Sequence, residues 1–181
     1  MQDQRPEYDV GHTQMSLAAV PHDILLFNFI GNHILITVLV GGMAKTFPLL
    51  LAVPVTISAS LIWYTLWRAR KSPQWDTPFI QCHWSVAAKR TRVFLIMLAV
   101  LATVGGFAAF AHLFMGLMLE AALALVGGVG LLPVMVTMLI LIIMESEALH
   151  MAKHKRAPGC PGILSEEHTV AFREKAAAEA A

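Results

Sequence analysis

The chain has 181 residues, of which 57% are hydrophobic and 14% charged, and its net charge is +1 with histidines neutral. Soluble domains run nearer ~45–50% apolar and ~25% charged, so this composition excludes an ordinary soluble enzyme, a disordered chain and a disulfide scaffold. The near-neutral balance leaves no electrostatic footprint for nucleic acid.

Residues 1–23 are mixed and polar, without a basic stretch leading into a short apolar core and cleavage site. The first span is therefore expected to begin insertion itself. Four apolar blocks follow, at about 24–43, 46–67, 93–118 and 121–144. Each is long enough, at ~1.5 Å per residue, to cross a hydrocarbon core ~30 Å thick. All are too long and uniformly apolar for half-buried strands. The expected fold is all-α: a polytopic membrane protein with a four-helix transmembrane bundle of two antiparallel hairpins. A cytoplasmic loop over 68–92 joins the hairpins, and a tail over 145–181 ends in a short helix. Ser165 is placed to cap that helix, with Glu166 and Glu167 in its first turn and Arg173 and Lys175 later, as the helix dipole prefers.

Orientation follows from the 13 lysines and arginines. All except Lys45 fall before the first span, between the second and third, or after the fourth. The positive-inside rule then puts both termini and the middle loop in the cytoplasm of a bacterial inner-membrane-type protein. Cys82 and Cys160 come to the same side, where a structural disulfide is not expected.

Inside the spans, small residues predict close helix approach. Gly105, Ala109 and His112 share a face of the third span, Gly106 aligns with Ala102, and Ala124 aligns with Gly128 on the fourth. Pro54 and Pro133 remove backbone donors and are expected to bend their helices. Trp63, Tyr64 and Trp67 read as interfacial anchors. The intramembrane polar candidates are Asn28, Asn32, His33 and His112, since polar groups at this depth are costly unless paired. His33 and His112 would lie roughly 13 and 28 Å from the cytoplasmic face at helical rise. That mismatch argues against one haem held by both. No Asp or Glu lies well inside a span, which argues against a small proton-coupled drug exporter.

The most chemical pattern is at the inner end of the fourth helix. Glu147, His150 and His154, spaced three and four apart, share one helical face and offer three donors to a transition metal. Topology allows His22 or His83 to join them as cofactor-binding residues, for a metal or a haem. The alternative is a solvated helix extension whose lysines and Arg156 hold anionic headgroups. The connector 72–88, with Trp75, Phe79, Cys82 and Trp84, is aromatic enough to lie along the interface or to dock a partner.

No P-loop, dinucleotide fingerprint, nucleophile elbow or paired CxxC occurs, so no catalytic residue is assigned. The expected function is a small integral membrane subunit or accessory factor of a larger complex, an electron-transfer complex foremost. Its partners would be the lipid bilayer and other membrane subunits, or copies of itself. Two alternatives stand beside it: a metal- or haem-binding redox protein with an inner-face His/Glu site, and an oligomeric small transporter or channel.

Overall fold

The computed structural model describes residues 7–43, 46–160 and 163. The expected helix at Ser165 lies outside them. Four long helices make up the described chain: α1 (His12–Met43), α2 (Ala52–Trp75), α3 (Pro78–Met115) and α4 (Leu119–Lys153). A short 3-10 turn, Pro48–Leu51, leads into α2. Among the described residues there is no strand, only an isolated bridge between Glu7 and Arg156. Helices α1, α3 and α4 are long and apolar enough to cross a membrane. In α2, Thr56, Ser58, Ser60, Thr65 and Arg68 interrupt the apolar residues and dilute that character.

The helices are longer than the apolar blocks. The chain is already helical at His12, ahead of the first block, and 68–92 is helical except at Asp76 and Thr77. The joint between α2 and α3 explains this. Thr77 is the N-cap of α3 and Pro78 occupies its first turn, where a missing N–H costs nothing. Arg68 donates to both oxygens of Asp76 at 2.7 Å, and the Ser72 hydroxyl donates to it at 2.6 Å. The Arg68 guanidinium also sits over the Trp75 and Trp84 rings. Burial opposes ionisation of Asp76, but the bonds from Arg68 and Ser72 outweigh it and hold the carboxyl below its ordinary range. A solvated loop is thereby replaced by a tight corner.

Two stretches widen to π-helix, Phe27–Ile36 in α1 and Val126–Leu131 in α4. The second holds Gly127, Gly128 and Gly130 and lies just ahead of Pro133, whose lost donor disrupts regular α spacing. The expected distortion at Pro133 thus takes the form of a wide turn. In the first, the Thr37 hydroxyl donates to the Asn32 carbonyl at 3.0 Å.

Helices α1 and α3 each pack against all the others. The start of α1, the end of α2, the start of α3 and the end of α4 gather at one end of the molecule. There a core of Ala18, Ala19, Phe79, Ile80, Cys82, Trp84 and Ala152 forms. A second layer, with Leu25, Phe29, Ile62, Ala87, Phe94, Met138 and Leu141, lies beside it. The far end is different: Phe107, Phe110, Leu113 and Phe114 are all more than half exposed.

Small residues behave differently from expectation. A side chain added at Gly130 would meet Leu101 of α3 at 2.9 Å, so this is where α3 and α4 approach closely. Among the described residues Gly105, Gly106 and Gly128 have nothing within 4 Å of such an atom, and Ala109 and Ala124 are exposed. The small-residue faces point outward. His112 is exposed too, and its Nδ1 bonds the Leu117 carbonyl at 2.7 Å where Gly116, at φ 71°, turns the chain.

Candidate functional site

At the well-packed end a carboxylate and two imidazoles form one hydrogen-bonded chain. Glu145 on α4 lies 2.5 Å from His22 Nδ1 on α1, through its Oε2. His22 Nε2 lies 2.9 Å from His83 Nδ1 on α3. All three residues are completely buried. Arg90, one helical stretch further along α3, brings its guanidinium to 3.3 Å from Glu145 Oε1 and donates to the Met144 carbonyl at 2.9 Å. Three helices thus contribute one group each, and α3 adds the counter-charge.

Local structure explains the convergence. On α4, Leu141, Glu145, Ala148 and Ala152 recur at spacings of four, three and four and are all buried. Glu145 therefore sits on the core-facing stripe, and Ala148 and Ala152 are small enough to let α1 come close. On α1, Ala18, Ala19 and His22 are buried together, and small side chains again clear the path of the ring. His83 is held between Phe79, at a ring-centroid distance of 5.0 Å, and His22 at 5.2 Å.

The arrangement has a definite protonation logic. With one proton on Nδ1, His22 donates to Glu145, and its Nε2 accepts from His83 Nδ1–H. With protons on both nitrogens, His22 donates to both neighbours, and His83 then carries its own proton on Nε2. Moving one proton along the chain switches both rings. The far end of the chain is His83 Nε2, which makes no well-formed hydrogen bond among the described residues. The backbone of Arg156, just beyond α4, acts on that ring. The chain can therefore accept, hold and pass a proton between a buried carboxylate and the segment that follows α4.

The proposed metal donors lie elsewhere. Glu147, His150 and His154 are all exposed, on the opposite face of α4 from Glu145. The two imidazoles stack at 4.0 Å, and His154 Nδ1 donates to the His150 carbonyl at 2.8 Å. His22 and His83 are drawn into the core and do not join them. Among the described residues no group of three or more His, Cys, Asp or Glu is placed to hold a metal ion.

A second polar cluster lies deeper along α1. Asn32 donates to the Pro54 carbonyl of α2 at 2.8 Å and to Asn28 Oδ1 at 3.2 Å. His33 Nε2 pairs with the Ser58 hydroxyl at 2.9 Å. Asn28 and Asn32 are fully buried, yet Asn28 Nδ2 and Asn32 Oδ1 find no partner among the described residues. These residues join α1 to α2, within the π-helical stretch.

One expectation is overturned outright. Cys82 and Cys160 are joined in a disulfide across 78 residues. The expected topology puts them on one side but gives no sign that they meet. It arises because α3 starts, and the segment after α4 ends, at the same end of the molecule.

Spacing along the sequence points to His22 and His83 but favours Glu147 over Glu145 and does not mark Arg90. The missed signal was periodicity: Glu145 continues the apolar stripe of Met138 and Leu141, whereas Glu147 does not. Comparison with known proteins leaves the geometry to speak for itself, since no family model matches the chain and no curated protein or solved structure is significantly similar to it.

Proposed function

We propose that this chain is a small four-span integral membrane protein that serves as a proton-handling subunit or accessory factor of a larger membrane complex, an electron-transfer complex foremost. The observation that carries this is the buried Glu145–His22–His83 chain flanked by Arg90. A buried ionisable cluster is expensive to maintain. Its linear arrangement matches the transfer of protons that accompanies membrane redox chemistry.

The subunit reading draws on the outward small-residue faces, including Gly106 and Gly128, which the described residues do not pack against. Close helix–helix contact in lipid relies on such faces. We read α2 as the fourth span because it packs on α1 and α3, and because Arg68, Arg70 and Lys71 cluster at one end of it. The distribution of lysine and arginine favours cytoplasmic termini in a bacterial inner membrane.

Purification from native membranes in a mild detergent tests the subunit reading. A stoichiometric partner that remains bound through a native gel is expected, and a clean monomer would sink it. The proton role is tested in the same complex. His22→Phe and Glu145→Gln are each expected to lower proton-coupled turnover at least about tenfold, while cofactor content stays unchanged. Undiminished turnover would remove the relay from the function.

A second reading, an oligomeric transporter or channel, is favoured by amide atoms of Asn28 and Asn32 that have no partner among the described residues, beside His33 and Ser58. Such groups suit a polar path through the membrane. Flux into liposomes that is insensitive to Asn32→Leu and His33→Ala would exclude it.

A further inference from the structure

The disulfide has a position that the relay alone does not explain. Cys82 immediately precedes His83, so the bond is anchored one residue from the outer end of the relay. Cys160 ends the segment 154–160, which turns back at Lys155, a non-glycine residue with φ 56°, and runs over the start of α3. Ala157 and Cys160 of that segment are buried in the same core as Cys82 and Phe79. The backbone of Arg156 acts on His83. The segment is therefore a strap beside the His83 end of the relay.

Non-covalent ties also hold the strap. The Tyr8 N–H donates to the Lys155 carbonyl at 2.8 Å. Arg156 pairs with Glu7 at 3.4 Å, with side chains 26% and 52% exposed, and exposed pairs contribute little. Ala157 and Pro158 are buried, and the Arg156 N–H donates to the Met151 carbonyl at 2.9 Å. The covalent bond is the one restraint that a change of redox state removes. It involves both cysteines of the chain, so its pairing has no competitor.

We propose that Cys82 and Cys160 form a reversible thiol–disulfide switch that controls access of water to His83, and that its redox partner is a dithiol of the reducing compartment. The proposal rests on the cytoplasmic placement of this end and on the relay reading above. In a reducing compartment disulfides are transient or sensory far more often than structural. Cys160 is 7% exposed and Cys82 0%, so the partner thiolate attacks Cys160 Sγ. The Cys82–Cys160 bond breaks, a mixed disulfide forms at Cys160, and Cys82 leaves as a thiolate that takes a proton. The second partner thiolate then displaces Cys160, which is protonated in turn. The partner gives two electrons and two protons and becomes a disulfide, while this chain gains two thiols. The oxidised form of the same dithiol class reverses the exchange. Reduction frees the strap and opens His83 Nε2 to water, while oxidation closes it.

The test uses the full chain in lipid nanodiscs, oxidised or treated with dithiothreitol, and reads histidine accessibility by diethyl pyrocarbonate modification and peptide mass spectrometry. Reduction is expected to speed modification of His83 by at least about tenfold, with the exposed His150 as an unchanged internal control. Equal protection of His83 in both states overturns the switch. Cys82→Ser/Cys160→Ser is expected to match the reduced state, and because the comparison is made on the wild-type chain, a poorly folding variant does not compromise it. In cells, acid quenching and alkylation should find the pair partly reduced and driven to the disulfide by diamide. A pair that stays fully oxidised under every condition overturns the proposal as a switch. Orientation is read separately with Lys153→Cys in the double-serine background and a membrane-impermeant maleimide. Labelling only after lysis supports the cytoplasmic placement. Labelling in intact cells overturns that placement, and the accessibility result then still reports whether the strap covers His83.

Discussion

Glu145 and Glu147 stand two residues apart on α4, and each has histidines within reach along or across the helix. Glu145 is fully buried, bonded to His22 and flanked by Arg90. Glu147 faces out beside the exposed His150 and His154. The two faces have similar chemistry on paper and opposite physical situations. A helix turns about 100° per residue, so two residues of offset carry a side chain to nearly the other side. Chemistry-bearing residue types at ligand-like spacing mark a face of a helix, but not which face the fold will bury.

Substitutions on the two faces should separate them clearly. Glu145→Ala leaves His22 without its acceptor and Arg90 without its counter-charge in a buried site, at a cost of about 3–5 kcal/mol. Thermal unfolding in detergent should show a large drop in midpoint, while Glu147→Ala stays close to wild type. Equal drops would mean that the buried face is not the organising one. His22→Leu strands Glu145 on one side and His83 on the other, for about 2–3 kcal/mol. Its effect should shrink sharply in a Glu145→Gln background, because the two residues share one interaction.

The same logic applies to glycines of α4. Gly130→Leu drives a side chain into Leu101 and should cost about 1–3 kcal/mol by overpacking. Gly128→Leu meets open space and should leave the chain's own stability unchanged, while weakening attachment of any partner seated there. A smaller effect is expected at the α2–α3 corner. Asp76→Asn removes a bidentate bond that is mostly shielded and should cost about 1 kcal/mol. The carboxyl of Asp76 is held below its ordinary range, so it binds protons less readily folded than unfolded. Its contribution is therefore fully present above pH ~4 and lost as pH falls through the lower folded value. Unfolding midpoints of wild type and Asp76→Asn should converge in acid, and a constant difference from pH 7 down to 2 would contradict this. The smallest effect belongs to His150→Ala/His154→Ala, where the melting temperature should not move.

Much of the architecture was legible in the residues. All-helical structure follows from apolar runs too long for strands, and the break between α3 and α4 falls at Gly116–Met118, just ahead of the boundary expected at Met118–Glu120. The helical extensions at His12 and across 68–92 were not legible, because polar residues there are satisfied by partners far away in sequence. Arg68 with Asp76 is one case and His22 with Glu145 another. His22 and His83 were identifiable as same-side donors, but their union with Glu145 was not. Nor was the disulfide, since cysteines 78 residues apart carry no local signal.

What the sequence determined by itself is the helical, apolar character of the chain and the grouping of its lysines and arginines. Long apolar runs must leave water, and lysine and arginine gathered at the ends of one set of segments must stay in it. Both are local properties of residue type, additive along the chain. Only the tertiary structure decided which of the charged and polar residues are buried, because burial depends on the rotation and approach of helices that are remote in sequence. Ala148, Ala152, Ala18 and Ala19 let α1 and α4 close on one another, and that approach places Glu145 against His22. The same carboxylate on a neighbouring register would have remained in solvent with Glu147.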